Sequence, residues 1–301
     1  VDMDACEETI MSNNALNDVS PLAGALEQNI QDIDIPPRPI IIDRIRSAMN
    51  EDMPNFKYVG QLVSADVSLA AGLIKTANSP YFGYQSRARS VNEALLMLGL
   101  DVTCRAIATI SLRQAFPNSA HYERFWDASA RIAALSGWLA RQIRRPKLRP
   151  DDAYTFGLFR DCGIVILLRR FPTYMETLVR ANNETELAFT AVEQQDIPSN
   201  HATIGYLLAQ NWWLSDEICQ AIRYHHDQSA IELFESGVPL LSRYLVAISQ
   251  LAEHLLQKVS GASHTEEWRK LGPSCLRLLA LEEADLPELY EEASLVLLAV
   301  D

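Results

Sequence analysis

Apolar residues recur at intervals of three and four along almost the whole chain, and no stretch alternates apolar with polar residues over the length of a strand. "IIIDRIRSAM", "YVGQLVSADVSLAAGLIKTAN" and "VNEALLMLGLDVTCRAIATISLRQAF" carry this pattern in the first half. No Asn-Gly or Asp-Gly pair marks a hairpin turn. Such a chain can bury its apolar residues only as packed helices, so the fold class is all-α. Ser90 and Glu93 have the spacing of a capping box opening one helix.

The pattern breaks at few places. Residues 1–21 are polar and read as an arm. "DIPPRPI" (34–40) is extended, because proline disfavours helix in the residue before it. "FPNSAHYE" (116–123) separates two helical lobes, 22–118 and 119–228. Helices are expected near 123–143, 151–170, 172–182, 186–194, 200–211 and 215–226. A helical extension, 229–301, carries further helices near 237–259, 265–279 and 287–299. No Gly-, Ser- or Pro-rich linker precedes it, so it is expected to pack on the second lobe.

The formal net charge of −13 argues against general nucleic-acid binding, which needs a basic face. The five cysteines, Cys6, Cys104, Cys162, Cys219 and Cys275, form no CxxC and read as reduced, mostly buried thiols. Neither a signal peptide nor an apolar run of transmembrane length is recognised, so a cytoplasmic protein without membrane contact is expected. A Walker loop, a dinucleotide fingerprint and a nucleophile elbow are all missing.

One stretch stands out: "TFGLFRDCGIVILL", residues 155–168. On a helix over 151–170, Arg160 shares an apolar stripe with Ala153, Phe156, Gly157, Ile164 and Leu167, and Asp161 is turned from it by about 100°. Neighbours in a helix do not face each other, so the two charges need other partners. Two later helices supply candidates. His201 lies on a stripe with Ile204, Gly205 and Leu208. His225 lies on one with Ile218, Ala221 and Ile222. His226 is turned aside, toward solvent or a supporting position. Two imidazoles and a carboxylate form either part of a metal set or a hydrogen-bonded network.

Six segments in order resemble the HDOD domain, a relative of the HD phosphohydrolases: "IPPRP", "VSADVSLAAGLIKTANSPYFG", "VNEALLMLGLDVTCRAI", "FWDASARIAALSGWLA", "TFGLFRDCGIVIL" and "HATIGYLLAQNWWLSDEICQAIRYHH". The resemblance implies an N-terminal helical bundle plus an HD-like helical lobe. HD enzymes hold metal with an early histidine, a His-Asp pair, later histidines and a late aspartate. Here these positions fall near Ala128, on Arg160-Asp161, on His201 and His225 with His226 beside it, and near Glu253. Alanine offers no ligand, and a guanidinium has no lone pair for a metal. The resemblance therefore implies a site in which Arg160 stands in for a cation, with neither metal nor cofactor bound and no catalytic residue.

The function expected is a non-catalytic bacterial signalling scaffold that contacts other signalling proteins. A homodimer is compatible with the sequence. Tyr81, Phe82, Trp212 and Trp213 are candidate partner contacts. Two other readings stay open. One is a metal-dependent phosphohydrolase with a reduced site on Asp161, His201, His225 and Glu253. The other is a nucleotide sensor that binds anions through Arg160.

Overall fold

The chain is all-α, as the periodicity predicts. The computed structural model describes residues 33–300 except 52, 118, 233–236 and 262–263. The arm read at 1–21 and Cys6 lie outside the described residues, among which no strand occurs.

The first group comprises α1 (Ile40–Met49), α2 (Phe56–Ser64), α3 (Val67–Ala77), a 3-10 turn at Pro80–Phe82 and α4 (Val91–Gln114). Asp66 caps α3 by accepting from the amides of Ser68 and Leu69. Ser90 accepts from the Glu93 amide at 3.2 Å, as its spacing predicts. The return bond goes instead from the Arg89 amide to Glu93 at 2.7 Å. By length and composition α4 could cross a membrane, contrary to the expectation of no such run. Here it buries Leu95, Ile107 and Leu112, packs on α2 and α3, and bends at Gly99, whose φ of 73° suits glycine.

The second group comprises α5 (Ala120–Ile143), α6 (Pro150–Phe159), α7 (Cys162–Arg170), α8 (Tyr174–Asn183), α9 (Phe189–Glu193), α10 (His201–Asn211), α11 (Asp216–Tyr224) and α12 (Gln228–Glu232). Then follow α13 (Leu240–Ser260), α14 (Glu267–Leu279) and α15 (Leu286–Val300). The long helix α13 lies against α5, α6, α11 and α14. Its Leu245, Ile248, Leu251 and Leu255 are fully buried there.

One helix expected over 151–170 is in fact two. The chain turns at Asp161 (φ −103°, ψ 13°), the N-cap of α7. Two glycines let α7 approach α10: a Cβ on Gly163 would lie 2.0 Å from the His201 carbonyl oxygen, and one on Gly205 3.2 Å from Cys162 Sγ.

The aromatic residues proposed as contacts are mostly interior. Trp212 is 2% exposed and donates its indole N–H to the Pro36 carbonyl at 3.1 Å. Tyr81 is buried, stacks on Tyr154 at 4.2 Å and lies under the Arg141 guanidinium. Phe82 is half-buried beside Tyr81. Only Trp213 is exposed, and Arg38 covers its ring at 3.7 Å. Tyr81 lies in the 3-10 turn, where a side chain is often exposed, yet it is buried. A π-face that a neighbouring ring and a cation can both cover explains why.

On α13, His254 stacks on Trp268 at 4.3 Å and meets the Tyr290 hydroxyl at 2.9 Å. Burial, helped by Lys258, pushes its pKa down to about 4. The fold thus favours neutral His254, whereas the unfolded chain protonates it near pH 6.5. Its contribution is intact above pH 6.5 and is lost as pH falls from there toward 4, by on the order of 2 kcal/mol. Urea unfolding at pH 7 and pH 4.5 will show a smaller loss for His254→Gln than for wild type. Equal losses would contradict this assignment.

Candidate functional site

The turn between α6 and α7 answers the puzzle of adjacent charges. Because the helix breaks there, Arg160 and Asp161 do face each other, contrary to the expectation from a continuous helix. Arg160 Nε donates to Asp161 Oδ2 at 2.8 Å. Nη2 donates to Glu253 Oε2 at 2.7 Å, and Nη1 to Ser249 Oγ at 3.2 Å. The guanidinium is 3% exposed and spans two carboxylates from distant parts of the chain. Burial alone would lower its pKa, but Asp161 and Glu253 override that and raise it. Burial would raise Asp161, yet Arg160 and the His225 hydrogen bond hold it well below the usual carboxylate range. Glu253 is raised by burial, against the pull of Arg160.

On the other side of Asp161 three imidazoles converge. His201 begins α10, where Asn200 caps the helix by accepting from the Thr203 amide at 2.8 Å. His225 and His226 follow α11, which ends one residue earlier, so the turn aims both rings inward. His225 Nε2 lies 3.2 Å from Asp161 Oδ1 and 3.1 Å from His201 Nε2. His226 Nε2 lies 3.1 Å from His201 Nε2. His226 is therefore not turned aside: it is 5% exposed and stacks on Phe189 at 4.7 Å. Helical spacing gives no direction for His226, because α11 ends before it.

Each ring is anchored at Nδ1. His201 Nδ1 meets the Glu193 carboxylate at 2.8 Å, His225 Nδ1 the Ile222 carbonyl at 2.7 Å, and His226 Nδ1 the Glu267 carboxylate at 2.5 Å. Tyr174 donates to Glu193 and Lys270 pairs with Glu267. Burial works to lower His201, but Glu193 reverses this and raises its pKa. Burial and the neighbouring His226 push His225 down to about 3. Burial also lowers His226, against Glu267. Glu267 is pushed down to about 2, where His226 and Lys270 outweigh its burial.

Ala128, Arg160, Asp161, His201, His226 and Glu253 line one cavity of about 550 Å³, and His225 lies behind Asp161. All seven positions carried over by the resemblance thus converge. The supporting Glu193, Glu267, Ser249 and Tyr174 were not found from sequence. The ligand set implied by HD enzymes does not fit these residues. Ala128 presents a methyl group to the cavity, and Arg160 holds Asp161 Oδ2 and Glu253 with N–H groups that cannot ligate a metal.

Comparisons with known proteins agree with this architecture. The HDOD domain model matches residues 35–228. An uncharacterised protein of Treponema pallidum (strain Nichols) is 25% identical over 207 residues, a match that covers 68% of this chain and 40% of that relative's length. Among solved structures, an HDOD domain protein of unknown function from Geobacter sulfurreducens has a TM-score of 0.58 at 21% identity, over 90% of this chain and 99% of that one. A Shewanella amazonensis SB2B protein provisionally named a metal-dependent phosphohydrolase has a TM-score of 0.63 at 17% identity, over 93% and 98%. A Marinobacter aquaeolei VT8 protein provisionally named a signal transduction protein has a TM-score of 0.62 at 22% identity, over 94% and 65%. At these identities the structural likenesses show the fold alone. Since the family model covers most of the chain, this protein belongs to the HDOD domain family.

Proposed function

We propose that this chain is a regulatory HDOD module that does not hydrolyse phosphoesters, acting in the cytoplasm through contacts with other signalling proteins. The observation that carries the non-hydrolytic half is the Arg160 guanidinium bridging Asp161 and Glu253. A hydrolytic metal generates hydroxide and neutralises phosphate charge. A guanidinium here supplies fixed positive charge but binds no water as a Lewis acid. The regulatory half rests on family membership and on a fold shared with a protein provisionally named for signal transduction. The functional unit includes residues beyond 228, because Ser249 and Glu253 of α13 hold Arg160.

The surroundings of Arg160 oppose its use as an anion sensor. All three guanidinium nitrogens are engaged within the protein, and the carboxylates around them oppose an incoming phosphate. The test is turnover of bis-p-nitrophenyl phosphate and cyclic dinucleotides with Mn²⁺, Fe²⁺ or Zn²⁺ added. The expected result is no rate above buffer. A metal-dependent rate abolished in Asp161→Asn would overturn the reading.

A further inference from the structure

We propose that a second cleft, separate from the Arg160 cavity, binds a dibasic amino acid, free or as the C-terminal residue of a peptide, with L-lysine as its simplest probe. The cleft has a volume of about 760 Å³ and opens between the starts of α10 and α14 and the end of α11. His226 and Glu267 form the wall that it shares with the Arg160 cavity, and its other lining residues belong to it alone.

The first ground is charge. Of the carboxylates lining the cleft, Glu232 is engaged by Gln228, Ser274 and Arg277, and Glu267 by His226 and Lys270. Arg223, Glu186 and Asp227 remain, and none of the three has an ion pair among the described residues. Asp227 uses only Oδ1, which accepts from the Ser229 amide and hydroxyl and from the Ala230 amide. One unpaired base and two unpaired acids match a ligand with one carboxylate and two cationic groups. Lysine, ornithine and arginine carry that pattern at neutral pH. A nucleotide would meet an excess of negative charge here.

The second ground is a set of unused donors. The Arg223 guanidinium lies 4.9 Å over the Tyr206 ring and 5.5 Å from the Tyr224 ring. The rings hold this long side chain in place without using its N–H groups, which donate to nothing among the described residues. A guanidinium held this way offers a carboxylate two parallel hydrogen bonds. Asn200, Thr203 and Tyr206 follow at intervals of three, so Asn200 and Thr203 continue the face of α10 that Arg223 covers. Asn200 is 7% exposed. Its Oδ1 accepts from the Thr203 amide, while its Nδ2 has no acceptor among the described residues. A donor buried this far is costly to leave unmet, and the cleft is the side from which an acceptor reaches it. The hydroxyls of Thr190, Thr203 and Tyr224 line the same space and likewise make no hydrogen bond among the described residues.

The third ground is size. Small-molecule sites commonly enclose about 300–1,000 Å³. This cleft exceeds one amino acid and leaves room for a residue ahead of a C-terminal lysine.

A ligand held here lies against Glu267, the anchor of His226, and so one side chain from the histidine cluster. Arg160 does not line this cleft, so binding here and the reading of Arg160 stand or fall separately.

The test is isothermal titration calorimetry of the full chain with L-lysine, the tripeptide Gly-Gly-Lys, cadaverine, which lacks the carboxylate, and norleucine, which lacks the second ammonium. Wild type is expected to bind L-lysine or Gly-Gly-Lys with a Kd on the order of 1 mM or tighter. Cadaverine and norleucine are expected to bind about tenfold more weakly or worse. Arg223→Gln and Glu186→Gln change exposed side chains, are expected to keep the wild-type thermal midpoint, and each weaken lysine binding by about tenfold or more. Arg124→Gln, at the Arg160 cavity, serves as control and leaves binding unchanged. A preference for the tripeptide over free lysine, or the reverse, upholds the site and says which source fills it. No heat from either at about tenfold higher concentration, equal affinity for cadaverine, or undiminished binding to folded Arg223→Gln would overturn it.

Discussion

Arg160→Ala, measured in chelator so that no metal can replace the lost charge, is expected to lower the thermal midpoint by on the order of 10 °C. The substitution strands two partly buried carboxylates at once, since Asp161 and Glu253 both pair with this guanidinium. Removing one partner from such an arrangement costs about 3–5 kcal/mol, mostly as the desolvation of unpaired charge. Arg160→Lys will recover only part of the loss, because an ammonium is a point charge and cannot fork between carboxylates on two helices. Combining Arg160→Ala with Glu253→Gln should cost less than the sum of the two single changes by on the order of 2 kcal/mol. A loss within about 1 kcal/mol for Arg160→Ala would mean that the carboxylates find protons or solvent instead, and that the guanidinium is not their counter-charge.

Gly163→Ala is the second large effect expected, for a steric reason. The new methyl carbon would meet the His201 carbonyl oxygen at 2.0 Å and the Gly205 amide nitrogen at 2.9 Å. These are backbone atoms and cannot rotate away, so α7 and α10 must separate. Overpacking usually costs about 1–3 kcal/mol. With backbone on both sides the cost here should reach about 3 kcal/mol or more. Asp161 stands two residues before Gly163 and His201 begins the opposing helix, so the separation also pulls apart the two sides of the site. Chemical denaturation of Gly163→Ala beside Gly60→Ala is informative. At Gly60 the clash is with the end of the exposed Asn92 side chain, which a side-chain movement can relieve. Equal, small losses would show that α7 and α10 slide freely.

How far the sequence foretold this site depends on which kind of information each residue carries. Helical spacing was enough for His201, whose stripe with Ile204 and Leu208 is buried as expected. It failed at Arg160–Asp161, because an aspartate able to cap a new helix reads equally well as a mid-helix charge when the apolar spacing continues past it. It failed again at His226, just past a helix end, where spacing no longer predicts direction. Glu193 and Glu267 had no signal at all. Each is one acid among several in a polar stretch, and only tertiary packing against His201 and His226 singles it out. Glu253 was placed through the family resemblance, and the long rigid α13 delivers it to Arg160. The all-α fold was legible throughout, since a periodicity of 3.6 over so many segments leaves no alternative way to bury them.

The most direct test of the claim that Arg160 takes one cation's place is a crystal grown with zinc and measured on both sides of the zinc absorption edge. No anomalous density is expected between Asp161 Oδ2 and Glu253, where the guanidinium lies. A zinc peak between Asp161 and Glu253, with Arg160 swung out into the cavity, would contradict it.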